Sequence, residues 1–175
     1  TENGLITQDG CLRPDTTLEG LAGLKTAFDE KGTVTAGTSS PLTDGATATL
    51  VCSEAFAARN NLTPIAVIRA MAVAGCAPEI MGIGPVAATR KALSRASLGM
   101  DDIDVVEINE AFASQSIACL RELAIPAEKV NLDGGAIALG HPLGATGARI
   151  TAKAGQLLSR VSGRYALATQ CVGGG

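Results

Sequence analysis

Residues 131–149 read Asn131-Leu132-Asp133-Gly134-Gly135-Ala136-Ile137-Ala138-Leu139-Gly140-His141-Pro142-Leu143-Gly144-Ala145-Thr146-Gly147-Ala148-Arg149 and contain the only histidine of the chain. The glycines between 133 and 147 interrupt regular structure and let other groups approach the backbone closely. Pro142 stiffens the peptide that carries His141, and a helix expected from near Ala145 to about 159 turns free amides and a partial positive charge toward it. An imidazole so placed is held toward its neutral form, the form a base needs.

Outward from this stretch the pattern alternates. Upstream, 105–109 is short, branched and strand-like, and 110–124 has helical spacing with Phe112, Ile117, Leu120 and Leu123 apolar. Downstream, 164–171 is a second strand. Earlier still, 46–52 and 65–74 are apolar runs of the kind that form buried strands; Ser53 caps a helix to about Asn60, and Pro85 opens one to about Ser97 with Val86, Leu93 and Ala96 on one face. Residues 1–42 are polar and punctuated, with one amphipathic helix expected over 17–28. Because parallel strands need helical crossovers, the alternation predicts an α/β layered fold with a mixed or largely parallel sheet covered by helices.

Composition narrows the function classes. A chain of 175 residues fits one core, or a core with an extension. No apolar run approaches the roughly 18 residues of a membrane span. Net charge is -3 with no basic stripe, so neither nucleic acid nor an anionic membrane is an expected partner. Aromatic residues are only 2%, whereas 21 residues are glycine, which predicts an aliphatic core built by close backbone approach. Five scattered cysteines without a signal-peptide pattern point to a reducing compartment, the cytoplasm or an organelle matrix, rather than a disulfide scaffold. The first residue, Thr1, and the terminal glycine run read as the ends of a piece of a longer protein.

Three residues could carry chemistry together. Cys171 ends the last strand and enters Val172-Gly173-Gly174-Gly175. It is either a small buried hydrophobe or a thiol acid/base beside an oxyanion-binding amide. Asn109 ends another strand, and in open α/β sheets ligands collect beyond the carboxyl ends of strands, where His141 can join them. Gly82-Ile83-Gly84-Pro85-Val86-Ala87 loosely matches a dinucleotide fingerprint but fails it, since it does not follow a strand directly and Pro85 removes an amide. One histidine, no Cys-x-x-Cys and scattered carboxylates give no metal site.

Taken together, Asn109-Glu110-Ala111-Phe112, the 131–149 stretch and Cys171-Val172-Gly173-Gly174-Gly175 resemble the C-terminal half of thiolases, with further matches at Arg13-Pro14-Asp15-Thr16-Thr17, 32–37, 44–46 and 80–85. The likeness covers essentially the whole chain. It implies the thiolase-like layered fold, with 1–42 as the end of a loop region that helps hold coenzyme A and 43–175 as the C-terminal core domain, truncated before its final strand. It also implies roles. Asn109 positions a water that joins His141 in stabilising a thioester oxyanion, Cys171 is the acid/base, and Gly173 offers its amide to a second oxyanion site. Ser40 contacts the pantetheine arm, and Met81 and Phe112 line its tunnel.

The activity implied is thiolytic cleavage of 3-ketoacyl-CoA to acetyl-CoA and a shortened acyl-CoA in fatty-acid β-oxidation, or the reverse condensation. Coenzyme A serves as co-substrate and no cofactor is permanently bound. The family's nucleophilic cysteine lies in an N-terminal half, and none of Cys11, Cys52, Cys76 or Cys119 has a comparable setting, so the chain alone is expected to be inactive. Expected partners are acyl-CoA, coenzyme A, that N-terminal half and further copies in a homodimer or tetramer. The alternative class is a non-catalytic acyl-CoA or lipid-carrier module, against which the complete set of Asn109, His141 and Cys171 argues. A ketosynthase-type enzyme is disfavoured because it needs a second histidine.

Overall fold

The computed structural model describes residues 4–175, so the first three residues of the expected 1–42 region lie outside it. Its regular elements are α1 (Leu18–Ala22), α2 (Glu54–Arg59), α3 (Gly84–Ala96), β1 (Val105–Ile108), α4 (Ala113–Leu123), α5 (Ala136–Leu139), α6 (Leu143–Val161) and β2 (Ala166–Thr169), with short 3-10 turns between some of them. β1 and β2 pair in parallel, Val105 with Ala166 through Ile108 with Thr169. All four β1 residues are buried.

Parallel register sends paired residues to the same face of the sheet. Val106, Ile108 and Leu167 point into an aliphatic core with Val86 of α3 and Cys119 and Leu123 of α4. Helix α6 covers the opposite face, burying Ala145, Thr146, Ile150, Ala154 and Leu157. The scarcity of aromatic residues is met by small side chains at these contacts, as expected. Asn131 finishes the outer edge of β1. Its Oδ1 accepts from the Ile108 amide at 2.9 Å and its Nδ2 donates to the Ile108 carbonyl at 3.0 Å, so one side chain replaces a strand neighbour.

Several expected elements change on folding. The helix expected over 17–28 is α1 alone, because Gly20 and Gly23 weaken its interior and the chain then turns to pair Thr26 with Thr35 in an antiparallel bridge. Helix α4 starts at Ala113 rather than at 110, since Ala111 accepts from the Ser40 amide and Phe112 bridges Ser39. The runs 46–52 and 65–74, expected as strands, form no ladder. In 65–74 backbone carbonyls are met by side chains instead, Lys91 Nζ donating to that of Val73 and Arg95 to that of Met71, while run 46–52 is tied to α6 by Thr47 Oγ1 donating to the Ala145 carbonyl. By contrast α2 has the expected cap, with Ser53 Oγ accepting from the Phe56 amide at 3.2 Å. Pro85 lies in the first turn of α3 as expected. Among the described residues no helix is long and apolar enough to cross a membrane.

Candidate active site

Asn109 follows β1 directly, and its amide continues the ladder by donating to the Thr169 carbonyl at 3.0 Å. That register sets Gln170 beside Asn109 and Cys171 one residue beyond, so both strands deliver their chemistry to one sheet end. Asn109 is 1% exposed, and its Nδ2 lies 3.3 Å from His141 Nε2. Residues 32 apart in sequence therefore meet side chain to side chain.

The His141 loop is fixed on three sides. Leu42 bridges it in parallel, and the His141 amide donates to Thr43 Oγ1 at 3.1 Å. Gly140 has φ 93°, and a Cβ there would run into the Thr43 side chain, so the tight entry to His141 requires glycine. On the far side of the ring, Nδ1 lies 2.7 Å from Thr146 Oγ1 in the first turn of α6, and that hydroxyl also reaches the Pro142 carbonyl at 3.1 Å. Thr146 is thus a two-way contact. When its proton goes to Pro142, Nδ1 carries the ring proton; when it goes to Nδ1, the ring proton is on Nε2.

Burial, and then the charge of Arg149, hold His141 below the usual imidazole range, as the sequence setting predicted. Burial likewise pushes the Cys171 thiol above its ordinary range, so at neutral pH it carries its proton. The oxygen of Asn109, Oδ1, is buried without a hydrogen-bond partner in the structure, an acceptor available to a further group at the site.

Of the residues expected to hold coenzyme A, two come together. The Ser40 amide donates to the Ala111 carbonyl at 3.1 Å, Ser39 bridges Phe112, and Phe28 meets the Phe112 ring edge-on at 6.0 Å between centroids. Met81 sits on the 3-10 turn Pro78–Ile83, which packs against α4, the helix that Phe112 caps; its carbonyl accepts from the Cys76 thiol and the neighbouring Gly82 carbonyl from the Cys119 thiol. Gly173 is exposed beyond Cys171.

Sequence reasoning passed over the residues that hold the site in place. Glu110 accepts from Asn131 Nδ2 at 2.6 Å and from the Ile137 amide at 3.1 Å, tying the end of β1 to the glycine-rich loop. Its signal was adjacency to Asn109. Thr146 was detectable as a hydroxyl one helical turn into α6, facing back to the loop. Thr43 gave no signal, since its partner is 98 positions away.

Residues 62–175 match the family model described as "Thiolase, C-terminal domain", and residues 1–55 the one described as "Thiolase, N-terminal domain". A 3-ketoacyl-CoA thiolase of Aliivibrio fischeri is 54% identical over 98% of this chain and 46% of its own length. The crystal structure of Bacillus anthracis acetyl-CoA acetyltransferase superposes with a TM-score of 0.90 at 48% identity, covering 93% of this chain and 41% of that one. The human mitochondrial 3-ketoacyl-CoA thiolase in complex with CoA gives 0.88 at 45% identity, covering 97% of this chain and 43% of its own. The chain thus spans under half the length of the relatives it matches. With its C-terminal match alone running over more than half of the 175 residues, the chain belongs to the thiolase family.

Proposed function

We propose that this chain carries the oxyanion-binding and acid/base groups of an acetyl-CoA acyltransferase that cleaves 3-ketoacyl-CoA with coenzyme A. The observation that carries the reading is the contact of Asn109 Nδ2 with His141 Nε2 at the sheet end that also delivers Cys171. The relatives' names, 3-ketoacyl-CoA thiolase and acetyl-CoA acetyltransferase, support the reaction class, and the CoA complex of one of them supports the co-substrate.

Attack of the N-terminal half's cysteine thiolate on the 3-keto carbon forms a C–S bond, and collapse of the adduct breaks the bond to the α-carbon, leaving the acyl group on that sulfur and the two-carbon fragment as an enolate. Its oxygen needs donors at the moment charge develops. As the contacts stand, Asn109 Nδ2 donates to Nε2 and the ring proton lies on Nδ1. When Thr146 turns its hydroxyl proton from the Pro142 carbonyl to Nδ1, the ring proton moves to Nε2, and Nε2–H supplies one donor, with a water held by Asn109 Oδ1 as the second. The protonated Cys171 gives its proton to the α-carbon, completing acetyl-CoA, and the resulting thiolate takes the proton of the incoming CoA thiol. That thiol attacks the acyl group, which leaves the nucleophilic cysteine of the N-terminal half as a shortened acyl-CoA. The Gly173 amide serves the acyl-enzyme oxyanion. Ser40, Phe112 and Met81 border the path of the pantetheine arm, residues 1–42 serve as the end of the CoA-holding loop region, and 43–175 as the core domain. The exposed apolar runs 46–52 and 65–74 favour assembly with that half and into dimers or tetramers.

In the enzyme containing both halves, His141→Ala and Cys171→Ala each lower kcat by about 10²–10⁴ with much smaller changes in KM. A loss confined to KM would remove either residue from the chemistry. The 175-residue chain alone gives no thiolysis of acetoacetyl-CoA; turnover above a buffer control that Cys171→Ala abolishes would overturn the assignment of a separate nucleophile.

A further inference from the structure

Asn109 and Glu110 are consecutive, and between them they grip both ends of one helical turn. Helix α5 is four residues long and runs directly into Gly140 and His141. At its start the Ile137 amide donates to Glu110 Oε2 at 3.1 Å, and just past its end the His141 ring meets Asn109 Nδ2 at 3.3 Å. Glu110, α5, His141 and Asn109 therefore form a closed ring of contacts that a single peptide bond completes. A helix of one turn has almost no stability of its own, and its first amides have no partner within it. A side chain that accepts from one of them sets where the turn begins. Thr43 and Thr146 secure His141 at its own amide and ring; Glu110 secures the turn that leads to it.

The other oxygen of Glu110 anchors this grip to the sheet. Oε1 accepts from Asn131 Nδ2 at 2.6 Å, and the Asn131 side chain is itself bonded to both the amide and the carbonyl of Ile108. Each Glu110 oxygen thus receives one N–H donor. A carboxylate matches that pattern, whereas a glutamine has one acceptor oxygen and would turn its NH2 on one of the two donors. The loop also closes on the carboxyl group. A Cβ on Gly135 would run into it and into Asn131 Nδ2, although the Gly135 φ of -115° is open to any residue. Glycine stands there for space, so that the chain can pass against Glu110.

We propose that Glu110 is a positioning residue of the His141 site: by holding the start of α5 to the end of β1, it fixes the separation of the His141 ring and the Asn109 amide. The proposal rests on the reading of that pair as the oxyanion site and adds the residue that keeps the pair in place.

In the enzyme containing both halves, E110Q lowers kcat for thiolysis of acetoacetyl-CoA by about 10–100-fold and leaves the KM for coenzyme A within about 2-fold, the split for reacting groups that are misplaced rather than removed. G135A crowds the carboxyl group from the other side and gives the same split. The double variant E110Q/G135A loses little more than either alone, because both disturb one contact. A merely structural Glu110 would lower the unfolding midpoint with kcat per folded molecule unchanged, and that result overturns the proposal. So does a loss confined to KM, or losses in the two single variants that multiply in the double. In the unsubstituted 175-residue chain the Ile137 amide exchanges with solvent at least about 100-fold more slowly than an unstructured amide. An unprotected Ile137 overturns the proposal even should neither variant fold. H141A separates it from the reading beneath it: full turnover in H141A removes the oxyanion assignment and the proposal with it, whereas full turnover in E110Q, with H141A impaired, overturns the proposal alone.

Discussion

Residues 105–108 and residues 65–74 are built from the same kind of amino acid and end in opposite conditions. In the first, Val105, Val106 and Ile108 are completely or almost completely buried, sealed by α6 on one face and by α3 and α4 on the other. In the second, Ile65, Val67, Met71 and Val73 are exposed, Val73 by 85%, and the backbone joins no ladder. Side-chain preference for the extended state is common to both. The difference is a partner: β1 has β2 in parallel register and the Asn131 side chain on its other edge, whereas 65–74 meets only helix side chains. A run of branched residues specifies extended backbone; a neighbouring strand makes it a sheet.

The contrast breaks most easily in the packed unit. Leu157 of α6 is buried, so Leu157→Ala costs about 2–5 kcal/mol of unfolding free energy in chemical denaturation, the range for a large-to-small change in a core. Val67→Ala, on the exposed run, changes it by less than about 0.5 kcal/mol. Equal effects from the two would mean that 65–74 is packed in solution and that the comparison is false.

The second test uses pH. Glu107 is raised from the usual carboxylate value to about 7 in the folded state, so folding takes up a proton between the two values. Its contribution to stability is fully present below about 4.5 and is lost as pH rises through 7, a fall of up to about 3 kcal/mol. Unfolding free energy measured at pH 5 and pH 8 should differ accordingly, and E107Q should flatten that difference. An unchanged slope in E107Q would place the pH dependence in other groups.

These tests bear on what was legible beforehand. The strand before Asn109, the cap at Ser53 and the helix opened by Pro85 were readable because each depends on residues within a few positions of one another. The neutral tendency of His141 was readable in direction but not in cause: the sequence points to the start of α6, whereas burial and then Arg149 produce it. The ladder was not readable, because pairing joins 105–108 to 166–169 across α4, α5, α6 and the loops between them. Nor were the supports of the site: Thr43 reaches His141 across 98 positions, and the Asn131 side chain takes a strand neighbour's place at Ile108. Glu107 drew no reading of its own within the strand-like run 105–109; only the helix laid over it makes its burial costly.

A smaller effect belongs to Thr146→Val. The variant keeps the shape of a residue that is fully buried but leaves His141 Nδ1 and the Pro142 carbonyl without their hydroxyl partner. Its expected cost is about 1–2 kcal/mol in thermal unfolding, with the ring's resonance broadened or shifted toward the Nδ1-protonated tautomer. A variant as stable as the parent with an unchanged ring would show that the loop, held by Thr43, orients His141 alone.

The smallest effect sharpens the comparison from its loose side. Ser53 Oγ accepts from the Phe56 amide, so Ser53→Ala removes the N-terminal side-chain cap of α2, a six-residue helix with a single buried residue, Ala57. The loss is about 0.5–1 kcal/mol of local helix stability. Because so short a helix gains little from propensity and has little packing, it opens in a step separate from the α3–α6 unit. Amide exchange should therefore quicken at Ala57 and Asn60 with no measurable change at Val106 or in the global unfolding midpoint. If protection falls equally in both places, 46–74 and the packed unit unfold together, and the exposed runs are then held by the same cooperative core that buries β1.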